Sequence, residues 1–207
     1  MSILAQISED KIIAIIRGAN PADVIHIAEA LYAGGINILE ITMNSAEPLA
    51  VIEQVVNRLG DKITVGAGTV LDTDMVRNAV KAGAKFILSP IVDEEVIMAA
   101  KDLGILCIPG AYTATEIYKA YKAGATIVKV FPATSPSYLK DIAGPLPHIP
   151  LLPTGGITLE NIGEFKNAGA VGFGIGSSLV NTKHKVTKQY LLELSDKARQ
   201  FVQAVHA

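Results

Sequence analysis

The sequence lacks what a disulfide scaffold, a membrane anchor or a nucleic-acid surface would need. Cysteine occurs once among 207 residues, as Cys107, so no intramolecular disulfide can form. Within the apolar run Gly104-Ile105-Leu106-Cys107-Ile108 it reads as a buried, inert thiol, and a lone cysteine fits a reducing compartment. Lysine and arginine number 18 against 20 acidic residues, a formal net charge of −2 with no block of like charge. Nucleic acid is therefore not an expected partner. No apolar stretch runs uninterrupted for the ~20 residues of a bilayer span, and the leading residues lack the basic start of a secretory signal. A membrane partner is not expected, and the chain reads as cytoplasmic. His26, His148, His184 and His206 are scattered without ligand spacing, so no metal is expected.

Apolar material is abundant: half of the residues are hydrophobic and 18% are charged. That composition suits one folded domain, taken as residues 1–207. Glycines punctuate it in phase. Gly34, Gly60, Gly83, Gly104, Gly124 and Gly169 each follow an amphipathic stretch and precede a short β-rich run. The intervals are 26, 23, 21, 20 and 45 residues, the last about two units. Glycine just past a helix end adopts the left-handed conformation at no steric cost. Each interval holds one helix and one strand. Eight strands are expected: Lys11–Arg17, Ile38–Met43, Ile63–Thr69, Phe86–Pro90, Ile105–Gly110, Ile127–Phe131, Leu151–Gly155 and Val171–Ser177. Most are near-continuously apolar, as parallel strands covered on both faces are. Asn20-Pro21 marks one helix start, Asp72, Asp93, Thr113 and Thr158 mark others, and helices are expected over Ser2–Ser8 and Lys183–His206. The fold class expected is α/β, a closed eight-stranded parallel (β/α)8 TIM barrel with a short N-terminal helix. No Gly-x-Gly-x-x-Gly follows the first strand, which weighs against an open dinucleotide-binding sheet.

In such a barrel the chemistry sits at the carboxyl ends of the strands, where the unusual residues of this sequence fall. Lys129 interrupts Ile127-Val128-Lys129-Val130-Phe131. Strand alternation puts it on a face with Ile127 and Phe131. Desolvation there favours the neutral amine, the nucleophile that Schiff-base chemistry requires. A lysine that snorkels to solvent or pairs with an acid is the alternative. Glu40 shares a face with Ile38 and Thr42 and reads either as a proton-transfer group or as a salt-bridge partner of Lys129 or Arg17. Gly155-Gly156 and Gly176-Ser177 end strands seven and eight, where glycine amides and a following helix N-terminus would hold a phosphate; tight turns also need glycine. Arg17 suits a carboxylate, or a surface ion pair. The cluster Tyr112, Tyr118 and Tyr121 reads as packing.

Together these segments resemble the 2-keto-3-deoxy-6-phosphogluconate (KDPG) aldolase family, which includes 4-hydroxy-2-oxoglutarate (KHG) and 2-keto-3-deoxy-6-phosphogalactonate aldolases. The resemblance runs from Ala14-Ile15-Ile16-Arg17-Gly18 to Gly176-Ser177-Ser178-Leu179-Val180. It rests also on Leu39-Glu40-Ile41-Thr42, Val65-Gly66-Ala67-Gly68-Thr69-Val70, Leu88-Ser89-Pro90, Ile108-Pro109-Gly110, Val128-Lys129-Val130-Phe131-Pro132-Ala133 and Pro153-Thr154-Gly155-Gly156-Ile157. It implies a homotrimeric barrel lyase without metal or cofactor, acting on a keto acid that carries a phosphorylated sugar-acid chain. Lys129 takes the place of the Schiff-base lysine and Glu40 that of the acid/base glutamate. Arg17, Thr69 and Pro90 match positions around the pyruvate carboxylate and pocket wall, and Phe131 matches a ring beside the lysine. Gly155, Gly156 and Ser177 match the phosphate site, with Gly176 beside it. Asn44 departs from the arginine that some members carry there, and Met43-Asn44-Ser45 resembles the galactonate branch, whereas Thr154 resembles the gluconate branch. A phosphosugar isomerase or epimerase, and a non-catalytic phosphate-ligand binder, are the rival functions.

Overall fold

The computed structural model describes residues 2–207; Met1 lies outside them. A short helix, α1 (Ile3–Asp10), leads into β1 (Ile12–Ile16), and helices and strands then alternate. The order is α2 (Pro21–Ala33), β2 (Ile38–Thr42), α3 (Pro48–Leu59), β3 (Thr64–Gly68), α4 (Thr73–Lys81), β4 (Phe86–Leu88), α5 (Glu94–Asp102) and β5 (Leu106–Ile108). It continues with β6 (Gly110–Ala111), α6 (Ala114–Lys122), β7 (Val128–Val130), α7 (Pro136–Ala143), β8 (Leu151–Pro153), α8 (Ile162–Asn167), β9 (Phe173–Ile175) and α9 (Lys188–His206). Side chains start the helices as the sequence indicates: Asn20, Asp72, Asp93 and Thr113 each accept from a backbone amide of the first turn. Thr158 does not. The cap position of α8 is Asn161, whose Oδ1 accepts from the Thr158 amide. The last helix starts at Lys188, capped by Thr187, rather than at Lys183.

The closed eight-stranded barrel expected from the repeat is not what the strands form. Their ladders, all parallel, make a six-stranded sheet, β5-β4-β3-β2-β1-β9, and a separate three-stranded sheet, β6-β7-β8. The expected strand Ile105–Gly110 is cut at Pro109. The Ile108 carbonyl accepts from the Ser89 amide (3.2 Å) on the β4 side, whereas the Pro109 carbonyl accepts from the Lys129 amide (2.9 Å) on the β7 side. Proline has no amide to donate, so no ladder continues through it. Between β8 and β9 the ladder is reduced to one bridge, Thr154 to Gly174.

Two apolar layers hold these strands. The larger lies between strands and helices and takes alternate strand residues such as Ala14, Leu39, Val65, Ile87 and Val128. The smaller lies inside the curl, where Ile13, Ile38, Phe86, Leu88, Ile108, Ile127 and Leu152 meet Ile7 of α1. Two positions further along their strands the inner face changes character: Ile38 gives way to Glu40, Ile127 to Lys129 and Leu152 to Thr154, all buried. The apolar layer is thus the floor on which the polar groups stand.

Helix α9 closes the outside by approaching the end of α2 at Gly34. A Cβ there would lie 2.4 Å from the Ala198 Cβ and 2.6 Å from the Ser195 carbonyl oxygen. Neither atom sits on a flexible chain. Gly34→Ala is expected to lower the urea midpoint at unchanged slope, by about 1–3 kcal/mol of overpacking; an unchanged midpoint would show that α9 is not packed this closely.

Candidate active site

Lys129 is on β7, 3% exposed, with its Nζ 4.7 Å from the centroid of the Phe131 ring. Glu40 is on β2 and fully buried, and neither of its carboxylate oxygens has a hydrogen-bond partner. Among the described residues no ion pair joins the two, nor either of them to Arg17. The snorkelling lysine and the salt-bridged glutamate are both absent. Burial pushes the Lys129 amine below the usual lysine range; the Glu40 charge opposes this and the Arg17 charge adds to it. Burial pushes the Glu40 carboxyl above its usual range, against the pull of Lys129 and then of Arg17. Burial therefore favours the neutral form of each group.

The local sequence makes room for these side chains. A Cβ on Gly68 would lie 1.6 Å from Oε1 of Glu40, so the carboxyl occupies the space a side chain of β3 would fill. A Cβ on Gly174 would lie 2.3 Å from Oγ1 of Thr154, which is also buried and unpartnered. Glycine inside a strand signals such a close approach. Gly68 and Gly174 are site residues that the sequence reading missed in this role.

A cavity of about 280 Å³ opens at the carboxyl ends of the strands. Its wall brings together Lys129, Arg17, Thr69, Pro90, Phe131, Thr154, Gly155, Gly176 and Ser177, and adds Ile15. Glu40 is not among the wall residues; it lies beside one of them, paired in register with Ile15. Gly156 is also off the wall and faces the Ala133 carbonyl. Thr69 has a φ of 59°, a left-handed backbone that is rare outside glycine and asparagine and that gathers at functional sites. Nothing in the residue type announced it.

The glycine turns differ from expectation in their surroundings. Gly155 and Gly156 are both left-handed, with φ of 82° and 74°. The first helix after them, α8, begins only at Ile162. After Gly176 there is a turn instead of a helix, closed by the Leu179 and Val180 amides on the Gly176 carbonyl. The two turns are tied together by Ser178, whose hydroxyl donates to the Ile157 carbonyl (2.5 Å). An anion here would meet amides and the Ser177 hydroxyl without the helix N-terminus expected from the sequence.

Elsewhere, Cys107 is buried as expected, and burial followed by Asp93 pushes its thiol up to about 12. The three tyrosines lie at the surface, Tyr112 stacked on Tyr138 and Tyr121 edge-on to His148. Among the described residues no three histidine, cysteine or acidic side chains gather as metal ligands. No helix of these residues is long and apolar enough to cross a membrane.

Residues 3–193 match the aldolase family described as KDPG and KHG aldolase. The chain belongs to that family. It is an aldolase, and the family's members are metal-independent carbon–carbon lyases. The 2-dehydro-3-deoxy-6-phosphogalactonate aldolase of Escherichia coli (strain K12) is 36% identical to it over 180 residues, 86% of this chain and 88% of that protein. The 2-dehydro-3-deoxy-phosphogluconate aldolase of Pseudomonas aeruginosa is 38% identical over 163 residues, 76% of this chain and 72% of that one. Among solved structures, the KDPG aldolase of Legionella pneumophila with pyruvate captured at low pH as a covalent carbinolamine intermediate superposes with a TM-score of 0.79. That match has 26% identity and covers 100% of this chain and 98% of that chain. Membership removes the isomerase and the non-catalytic binder as rivals.

A buried lysine with a lowered pKa costs this aldolase stability, with a definite pH dependence. Between the folded and the unfolded pKa the unfolded chain binds more protons, so stability rises with pH. Lys129→Met is expected to be more stable than the parent near neutral pH, with an advantage that shrinks as pH climbs towards about 10.4, the unfolded lysine value. Urea midpoints across that range check it; an advantage that grows with pH would reverse the sign of the shift.

Proposed function

We propose that this aldolase cleaves KDPG to pyruvate and glyceraldehyde 3-phosphate through a Schiff base on Lys129, and that it also accepts KHG, giving pyruvate and glyoxylate. The observation that carries the reading is a buried amine with no ion-pair partner, facing a cavity that also presents a guanidinium. The carbinolamine that the Legionella pneumophila relative captured with pyruvate supports the same chemistry.

In this mechanism the neutral Lys129 amine attacks C2 of the keto acid, forming a carbinolamine. Loss of water gives the iminium. Removal of the C4 hydroxyl proton then breaks the C3–C4 bond, and its electron pair moves into the enamine. The aldehyde leaves, C3 takes a proton, and water returns the amine and releases pyruvate. Glu40 is the proton carrier at each stage. Its raised pKa suits both giving and taking protons. Arg17 takes the carboxylate, Thr69, Pro90 and Phe131 hold the pyruvyl half, and Gly155, Gly156, Gly176 and Ser177 take the phosphate. The cavity volume is near the lower end for small-ligand sites, as a compact keto acid needs.

The unpartnered Oγ1 of Thr154 supports the gluconate substrate, because it offers a hydroxyl to a substrate hydroxyl. Met43-Asn44-Ser45 supports the galactonate epimer as the second reading. We extend the proposal to a homotrimer, for which exposed Leu71, Ile91 and Met98 supply apolar surface.

Borohydride added with pyruvate is expected to fix the adduct on the peptide containing Lys129; an adduct elsewhere, or none, contradicts the reading. Glu40→Gln should lower kcat by about 10²–10⁴-fold. In cleavage assays with the gluconate, galactonate and hydroxyglutarate substrates, KDPG should have the highest kcat/KM. Thr154→Val should narrow its lead over the galactonate epimer by about tenfold, the worth of one hydrogen bond; a lead that is absent in the parent favours the second reading.

A further inference from the structure

We infer that Asn44 is a positioning residue that holds the Arg17 guanidinium ready for the carboxylate of the keto acid. The inference rests on the proposed function for the identity of that ligand. Arg17 follows β1, and its backbone is pinned from two sides. Its carbonyl accepts from the Thr182 hydroxyl (2.8 Å), and the next amide, of Gly18, donates to Oγ of Ser45 (2.9 Å). Ser45 Oγ lies 2.8 Å from Oγ1 of Thr42, which is buried at the end of β2, and the Ser45 amide donates to the Thr42 carbonyl (3.0 Å). The turn containing Asn44 is anchored in the same way: the Met43 amide donates to the Gly68 carbonyl (2.7 Å), and Glu47 closes it with a φ of 48°. The turns that follow the adjacent strands β1 and β2 therefore lie side by side, joined by the Gly18–Ser45 hydrogen bond.

The guanidinium reaches out from one turn and the amide from the other. Nη1 of Arg17 donates to Oδ1 of Asn44 at 3.3 Å. Arg17 is absent from the ion pairs among the described residues. A guanidinium carries five donors in a planar fork. A neutral amide oxygen engages one of them, restricts rotation of the group, and leaves its charge uncancelled for a bidentate carboxylate. An aspartate in the same place would hold the fork and also neutralise it. The residue type at position 44 thus separates orientation from charge, and asparagine supplies the first without removing the second.

The test compares carbonyl ligands with and without a carboxylate. Half-saturation of borohydride trapping is measured for pyruvate and for acetone in the parent, Asn44→Ala and Asn44→Asp proteins, together with kcat and KM for cleavage. Asn44→Ala is expected to raise the half-saturating pyruvate concentration and KM about tenfold, leave acetone trapping unchanged and keep kcat within about twofold. Asn44→Asp should weaken pyruvate at least as much, and more than acetone, which feels only the weaker effect of Arg17 on the Lys129 amine. Equal shifts for the two ketones would reveal a merely structural role and overturn the inference, as would no shift for pyruvate or parent-like pyruvate trapping in Asn44→Asp. Absence of any adduct in the parent would sink the Schiff base instead. Calorimetric titration with oxamate, which keeps the carboxylate and forms no imine, then decides for Asn44: weakening of about tenfold in Asn44→Ala sustains its role, and unchanged affinity overturns it.

Discussion

Two ionisable side chains, Lys129 and Glu40, are held out of water without being allowed to pair, and much of the architecture serves that constraint. A buried ammonium or carboxylate is costly unless it is paired or neutral. Here the carboxylate oxygens have no hydrogen-bond partner and the amine has a ring beside it. A direct ion pair would lower the energy of both charges and remove the free amine. Separation leaves burial to favour the neutral form of each group, and the stability given up is what a reactive amine requires.

The sequence around the pair follows from this constraint. The carboxyl of Glu40 fits because Gly68 has no side chain, and Thr154 fits because Gly174 has none. Gly66 does the same for the floor, where a Cβ would meet the Phe86 ring at 2.4 Å. That floor of Ile13, Ile38, Ile127 and Leu152, closed by Ile7, keeps water from approaching from below. Access is left at the carboxyl ends, where Arg17 supplies the positive charge that further lowers the Lys129 pKa.

The chain's regular parts were legible because they are periodic. Helix starts at Asn20, Asp72, Asp93 and Thr113 follow from side-chain capping, and the strands from apolar runs buried on both faces. Lys129 and Glu40 stood out because a charged residue in such a run contradicts its surroundings. What escaped depends on single atoms and on contacts across the fold. Pro109 sits inside an apolar run and looks like strand, yet its missing amide divides the ladder there, and with the ladder reduced to one bridge between β8 and β9 two sheets stand in place of a closed barrel. Thr69 looks ordinary in sequence and is left-handed in place. A helix is expected to follow Gly176-Ser177, yet the segment folds as a turn. The contact between Arg17 and Asn44 joins two loops that no local pattern connects.

The central claim is that burial without pairing lowers the Lys129 pKa, with Glu40 as the opposing influence. An NMR titration of the Lys129 amine with ¹⁵N-labelled lysine, in the parent and in Glu40→Gln, measures this directly. The account predicts a midpoint below the usual lysine value of about 10.4 in the parent and a lower one still in Glu40→Gln. A midpoint at or above the usual value, or one that rises when Glu40 loses its charge, would contradict it.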